Sequence, residues 1–490
     1  MTPPPPTQTL EVGQLLACPG ELPATGRTSI TVKYGLIEAI TPVEAVLPEE
    51  QQGLLAMPAL ANAHDHGRGL DAFGYGALDQ ALELWLPALK LKPKLSMYAL
   101  TALELARVAR SGVGAAVHCH NTTGGDLLSE TQAVCQAARD VGVRLALAVP
   151  MRDRNALVYG NPDRLLALLP AADRERVRAT WDPPTLPPQA QIERVQAIAD
   201  ECEGDLIQVQ YCPWGPQWCS NELLEAIAAA SAETGRRIHT HLFETRYQRE
   251  WADAHYPQGL LQYLDDIGFL SPRLTVAHGV WLNPDELALL AARGVILSVN
   301  TSSNLRLRSG IAAYRAMRDA GVAVAFGLDG MSLNNNADAF EELRLNYNIH
   351  AKPGVRSEIT PAEMFAAHRH GVTAVTNQPD GGWLKPGEPA DFALLNYAAM
   401  TQDVIPDVCS VTDVVLARGA HHYIEGLWVA GQPVVEKGRV LGVDEAALKA
   451  EVQELLKSQA QHVYSLQPLV NGYQRALQQF YSEGLHRVRA

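Results

Sequence analysis

From about residue 60 to residue 328, short apolar runs alternate with longer stretches in which apolar residues recur every three or four positions. Runs of the first kind suit strands buried on both faces, and the longer stretches suit helices with one buried stripe. Their alternation predicts parallel βαβ units. Strands are expected over residues 60–66, 114–120, 144–150, 205–213, 237–242, 274–278, 295–300 and 322–328. Helices are expected at 97–111, 127–141, 221–234, 284–293 and 310–320, among others. Strands alternating with helices in this way predict a (β/α)8 TIM barrel, a fold that carries its active site at the C-terminal ends of the strands.

On both flanks the pattern shortens into β-branched runs cut by Gly and Pro. These runs lie at 14–17, 29–34 and 36–40 before the barrel, and at 391–396, 413–417, 426–429, 432–436 and 439–443 after it. They predict a small β-sandwich built from the N- and C-terminal segments. The implied organisation is residues 1–57 for the first part of the sandwich, 58–384 for the barrel, 385–443 for the second part and 444–490 for C-terminal helices. The opening MTPPPPTQTLEVG has neither the basic start nor the apolar core of a secretory signal, and reads as a short disordered leader on a cytoplasmic protein.

Composition narrows the function classes. With 47% hydrophobic and 19% charged residues, the 490-residue chain has the balance of a soluble globular protein. Its net charge of −14 argues against nucleic acid as a partner, because neutralising phosphates takes clustered Lys and Arg. That charge also gives no support for docking on an anionic membrane. No run approaches the roughly 20 apolar residues needed to span a bilayer. Seven dispersed cysteines without a CxxC pair fit reduced thiols rather than a disulfide framework.

The chemistry-bearing residues gather at the ends of the expected strands. Alternation along a strand puts His64 and His66 on one face, and His239 and His241 likewise. Glu244 lies three residues beyond His241, where a carboxyl could carry protons beside a metal-bound water. Ligation is assigned to His241, and a substrate-contact or supporting role to His239. His278 ends LTVAHG, and Asp329 follows the mostly apolar VAVAFGL. A carboxylate in that position is costly to bury unless a cation or histidine accompanies it. One HxH or one histidine alone is an ordinary core feature; the shared strand end is what points to a metal site with room for water.

The stretches NAHDH, HLFET, AHGVWLNPDEL, NTSSNLRLRSG and GLDGMSLNNNADAFEEL, followed by GEPADFALLN, carry a resemblance. The chain resembles the metal-dependent amidohydrolase superfamily, in the branch of S-adenosylhomocysteine, guanine and cytosine deaminases and triazine hydrolases. The resemblance implies that His64, His66, His241 and Asp329 bind one divalent metal. It implies that Glu244 shuttles protons to a ring nitrogen, that His278 orients or polarises the attacking hydroxide, and that Asp329 handles the water proton. The expected fourth strand, DLIQVQYCP, lacks the lysine that bridges two metals in some relatives, so a single ion is expected. Ligand chemistry favours Zn2+, with Fe2+ and Mn2+ as alternatives.

Trp85 matches a pocket-lining tryptophan of some relatives and is otherwise a core residue. Trp85, His239 and His120 are the substrate-contact candidates, a supporting role remaining open for His120 and its neighbour His118. Asp65, Gly67-Arg68-Gly69, Leu328 and Thr301 depart from the family pattern. The implied activity is hydrolytic deamination of a small amino-substituted N-heterocycle (purine, pterin, pyrimidine or triazine) by a homodimer or larger homo-oligomer. Alternatives are hydrolysis of an amide, carbamate or urea bond, dechlorination of a triazine, and a metal-free binding or assembly protein. The cytidine-deaminase-type zinc fold finds no support, since it needs a PCxxC pair and none is present.

Overall fold

A computed structural model describes residues 7–122, 124–351, 353–355, 359–379 and 381–487. The alternating apolar runs form eight parallel strands: β1 Leu60–Asn62, β2 Val113–Cys119, β3 Arg144–Met151, β4 Ile207–Pro213, β5 Ile238–Leu242, β6 Leu274–His278, β7 Ile296–Val299 and β8 Ala323–Phe326. They are hydrogen-bonded in chain order. Every residue of β2 is buried, as is all of β3 after Arg144, which is why these segments read as unbroken apolar runs. Beyond the strand ends, Ala63 N–H donates to Phe326 O and Asp329 N–H to His64 O, both at 2.9 Å. These bonds join the first strand to the last and all but close a TIM-type barrel.

The barrel interior is filled by small side chains, among them Ala115, Val117, Ala146, Ala148, Cys212 and Ala325. Ala374 and Val375, from the helix Pro361–Thr376, plug its floor. The helices around it end where the sequence supplies caps. Asn221–Thr234 begins at Ser220, whose hydroxyl accepts from Leu223 N–H, and stops at Gly235 with φ 72°.

The flanking segments form two further sheets. One holds Gln8–Val12, Thr28–Lys33 and Leu36–Pro42; the other runs Arg439–Val440, Gln432–Glu436, Ile424–Val429, Phe392–Asn396, Leu54–Pro58 and Gln14–Leu15. Val12, Ile30, Val32, Ile37, Ala56 and Phe392 pack between them as a sandwich core. Arg144 of β3 holds Asp391 through two hydrogen bonds, of 2.6 and 3.1 Å, fastening barrel to sandwich.

Three expectations are corrected. Residues 413–417 lie in the helix Val411–Arg418, not in a strand. Ser410 caps that helix by accepting from Asp413 N–H at 3.1 Å, and the Val-Val-Leu run buries one helical face. The supposed leader contains the strand Gln8–Val12, paired with Thr28–Lys33, so its alternating QTLEV was a true strand signal; residues 1–6 lie outside the described residues. The first barrel strand ends at Asn62, and the His64–His66 segment continues it without regular pairing.

The tail forms two helices, Glu445–Ser458 and Ala460–Ser482. The second crosses the barrel mouth: Tyr473 Oη donates to Leu157 O at 2.8 Å and Gln474 Nε2 to Leu84 O at 2.7 Å. Phe392 is fully buried and stacks on Trp428 at 5.4 Å in the sandwich core. Phe392→Ala is expected to cost about 3–5 kcal/mol, read as a lower chemical-denaturation midpoint.

Candidate active site

Each polar group at the barrel mouth is delivered by a strand end, and two of the backbones that deliver them are unusual. His278 (φ 74°) and Asp329 (φ 56°) both occupy the left-handed region. Non-glycine residues rarely adopt it, and they persist there where surrounding structure holds them. Gly327 allows the approach of β8, since a Cβ there would lie 2.5 Å from Asn300 Oδ1 and 2.8 Å from His64 Cβ.

The imidazoles are oriented from behind. His66 Nδ1 lies 2.9 Å from Cys119 O, and His241 Nδ1 lies 2.7 Å from Trp214 O. A carbonyl can only accept, so both Nδ1 atoms carry the proton and both Nε2 atoms present bare lone pairs. Burial lowers the proton affinity of all three candidate ligands, His64 to about 4 and His241 well below the usual imidazole range. The rings are therefore neutral.

These acceptors face another acceptor. Asp329 Oδ1 lies 3.2 Å from His66 Nε2 and 3.4 Å from His64 Nε2, and His241 Nε2 lies 3.4 Å from His66 Nε2. Both Asp329 Oδ1 and His64 Nε2 are buried without a hydrogen-bond partner. Bare lone pairs packed this closely repel unless a cation lies among them. Tetrahedral zinc with ligand bonds of about 2.0–2.1 Å would set its ligand atoms about 3.3–3.4 Å apart. The donor set therefore fits a divalent metal.

A second grouping of His64, Cys119 and His239 also has metal-compatible spacing. Its members are held by hydrogen bonding instead. His64 Nδ1 and His239 Nε2 are 2.9 Å apart, and burial pushes the Cys119 thiol well above its usual range, so it remains protonated. His239 thus stands behind His64, outside the cavity. Of the two roles open to it in the sequence, its position suits the supporting one.

Around the centre, Ser303 Oγ donates to Asp329 Oδ2 at 2.5 Å, and His278 Nδ1 donates to Asn304 Oδ1 at 2.9 Å. His278 Nε2 is 3.7 Å from Glu244 Oε2. Glu244 is buried, accepts from Ser309 Oγ at 3.1 Å, and has its pKa raised by burial. A cavity of about 1020 Å³ opens above these groups, with Trp85 and His120 in its wall and Tyr473 and Tyr481 bringing the C-terminal helix to its rim. His120 is tied through Nε2 to Glu130 at 3.0 Å.

The barrel thus brings His64, His66, His241, His278, Asp329 and Glu244 together, and sets Trp85 and His120 on the cavity. Sequence reasoning gave no role to Arg68, whose guanidinium donates to Asp329 O at 2.5 Å and stacks over Trp85 at 4.9 Å. It also missed the carbonyls of Cys119 and Trp214 and the aromatic rim from the tail. Backbone acceptors leave no trace in residue type, and contacts across hundreds of residues have no local signal.

The sequence matches the amidohydrolase family over residues 55–433. The chain belongs to that family. It is 27% identical over 398 residues to a 5'-deoxyadenosine deaminase of Methanopyrus kandleri, covering 79% of this chain and 83% of that protein. It is 30% identical over 374 residues to a 5-methylthioadenosine/S-adenosylhomocysteine deaminase of Thermococcus kodakarensis, covering 73% and 78%. Among solved structures, a zinc-bound adenosine deaminase of Xanthomonas campestris superposes with TM-score 0.73 at 21% identity, over 94% of this chain and all (100%) of that one. A zinc complex of an atrazine chlorohydrolase of Arthrobacter aurescens gives 0.75 at 21%, over 91% and 99%. At that identity the structural likeness speaks for the fold.

The protein is accordingly a hydrolase of the amidohydrolase class with a histidine-rich metal site. Ser303→Ala would free Asp329 Oδ2 and is expected to weaken metal retention or turnover by about 10–100-fold. Metal titration followed by elemental analysis would read the loss, and unchanged retention and rate would show that Ser303 does not hold the carboxylate.

Proposed function

We propose that this protein hydrolytically deaminates an amino-substituted N-heterocycle, using one zinc ion held by His64, His66, His241 and Asp329. The observation that carries the reading is Glu244: a buried carboxyl, its pKa raised by burial, 3.7 Å from His278 at the edge of the metal centre. An aminated aromatic ring must gain a proton on nitrogen before its carbon can become tetrahedral, and simple amide cleavage needs no such donor. Relatives named 5'-deoxyadenosine deaminase and 5-methylthioadenosine/S-adenosylhomocysteine deaminase support the same class. By resemblance, the reading includes a homo-oligomer working in the cytoplasm.

A divalent ion held by these residues would acidify a bound water from about 15.7 toward about 7. His278, with Nδ1–H given to Asn304, offers its Nε2 lone pair to a water hydrogen and so aims the oxygen at the ring. Asp329, positioned by the bond from Ser303 Oγ to its Oδ2, would take the proton of the attacking water. Glu244 protonates the ring nitrogen next to the reacting carbon, so charge does not build up there as the C–O bond forms. Asp329 then returns its proton to the amino group, the C–N bond breaks and ammonia leaves. The hydroxyl proton restores Glu244 as the carbonyl forms.

Two measurements test this. Zinc-loaded protein should release ammonia from at least one member of a panel of aminated purines, pterins, pyrimidines and triazines. Chloride, thiol or amine release in its place would redirect the reading to another leaving group. Glu244→Gln should lower kcat by about 10²–10⁴-fold while elemental analysis finds the metal retained; an undiminished rate would remove Glu244 from the mechanism.

A further inference from the structure

The turn after the first barrel strand departs from the family pattern at Asp65 and at Gly67-Arg68-Gly69, and the deamination steps use none of these residues. Their contacts give the departures one purpose. Asp65 Oδ1 accepts from His66 N–H at 2.7 Å and from Gly67 N–H at 2.9 Å, while its Oδ2 is held by Asn62 Nδ2 at 2.6 Å. Gly67 turns the chain with φ 61°, tight against the His118 ring, where a Cβ would come within 2.3 Å of Cε1. At Gly69 a Cβ would lie 2.0 Å from Leu100 O, and Arg107 Nη2 donates to Gly69 O at 2.8 Å. A turn pinned on both flanks, with no room for a side chain at either glycine, delivers one long side chain between them.

That side chain, Arg68, reaches the metal centre. Its Nη1 donates to Asp329 O at 2.5 Å and lies 3.7 Å from Asp329 Oδ1, and its guanidinium stacks over Trp85 at 4.9 Å. The side chain is only 11% exposed and lines the cavity. Among the described residues it makes no other hydrogen bond, and its Nε and Nη2 remain accessible. A planar guanidinium carries donors and no acceptor, so its free N–H groups call for a lone pair on the ligand. With so little solvent at hand, a ring that filled the cavity and left them unmatched would lose affinity.

The position of Arg68 decides where that lone pair must be. Arg68 follows β1 and touches the segment after β8, whereas Glu244 follows β5, four strands around the barrel. A ring lying over the metal centre is thus met by Glu244 from one side and by Arg68 from the other. The acceptor therefore belongs to the ring's own edge, not to a distant substituent. A carbonyl oxygen has two lone pairs in the ring plane to offer, whereas an amino group there would set donor against donor.

Resting on the deaminase reading, we propose that Arg68 is a specificity-determining residue that binds a ring carbonyl oxygen, and that the substrate is a 2-amino-4-oxo N-heterocycle of the guanine, pterin or isocytosine kind. In such a ring the amino-bearing carbon lies between two nitrogens. One of them faces Glu244, and the carbonyl beyond the other faces Arg68.

The test uses ring pairs that differ in the carbonyl alone: guanine with 2-aminopurine, and isocytosine with 2-aminopyrimidine. Affinities are read by titration calorimetry on the zinc-loaded Glu244→Gln chain, and turnover by ammonia release from the native chain. In at least one pair the oxo ring should bind about 10–100-fold more tightly, the range of a hydrogen bond to a charged group. Adding Arg68→Met or Arg68→Gln should bring that ratio toward one. The ratio is the readout because displacement of Asp329 would affect both rings of a pair alike. Either variant that retains zinc by elemental analysis suffices; if neither does, the ratio measured with Arg68 present decides alone. A ratio near one in both pairs, no binding of any ring, or a preference that survives both substitutions would overturn the proposal. An Arg68-dependent preference without ammonia release from any ring would leave the Arg68 contact standing and remove the deaminase reading.

Discussion

The whole site depends on lone pairs brought together without hydrogens between them. Three neutral imidazoles, two with their protons fixed on the far nitrogen by backbone carbonyls, face Asp329 Oδ1 at 3.2–3.4 Å or one another. In the absence of a positive charge this arrangement is repulsive, with Asp329 Oδ1 and His64 Nε2 both buried. Those distances match the edges of a small tetrahedral coordination sphere. The protein supplies the energy to hold the donors in place, and metal binding returns it.

That energy comes from the barrel. Asp329 holds its left-handed backbone through the bond that joins the first and last strand ends, and beside left-handed His278 the N–H of Gly279 is bonded to Leu242 O. Asp329 donates its own N–H to His64 O, so one ligand's backbone fixes the position of another's. Ser303, Asn304 and His239 then occupy the remaining hydrogen-bonding positions behind the ligands. A small-residue interior of alanines and valines gives the strands room to converge to this point.

Above the centre the reaction needs little space, yet the cavity is about 1020 Å³. Its outer wall is made by segments far apart in the chain: the lysine-bearing turn after Trp85, the end of β2 and the C-terminal helix with Tyr473 and Tyr481. Catalysis is thus the property of the strand ends, while selection of the substrate falls to the loops and the tail, as is usual for barrels.

Hydrophobic periodicity made the eight barrel strands legible, because burial on both faces forces unbroken apolar runs whatever the neighbours are. Histidines and carboxylates at the ends of those runs made the metal and proton-handling candidates legible too, since strand direction alone puts them at one mouth. Periodicity failed at residues 413–417, where a capping serine and a buried helical face outweighed β-branched composition, and at Gln8–Val12, where a proline-rich start masked a strand. Only the tertiary structure decided which nitrogen of each histidine faces the centre and that His239 stands behind His64. Those facts depend on groups such as the Cys119 and Trp214 carbonyls, which every residue carries alike and which only folding brings within hydrogen-bonding reach.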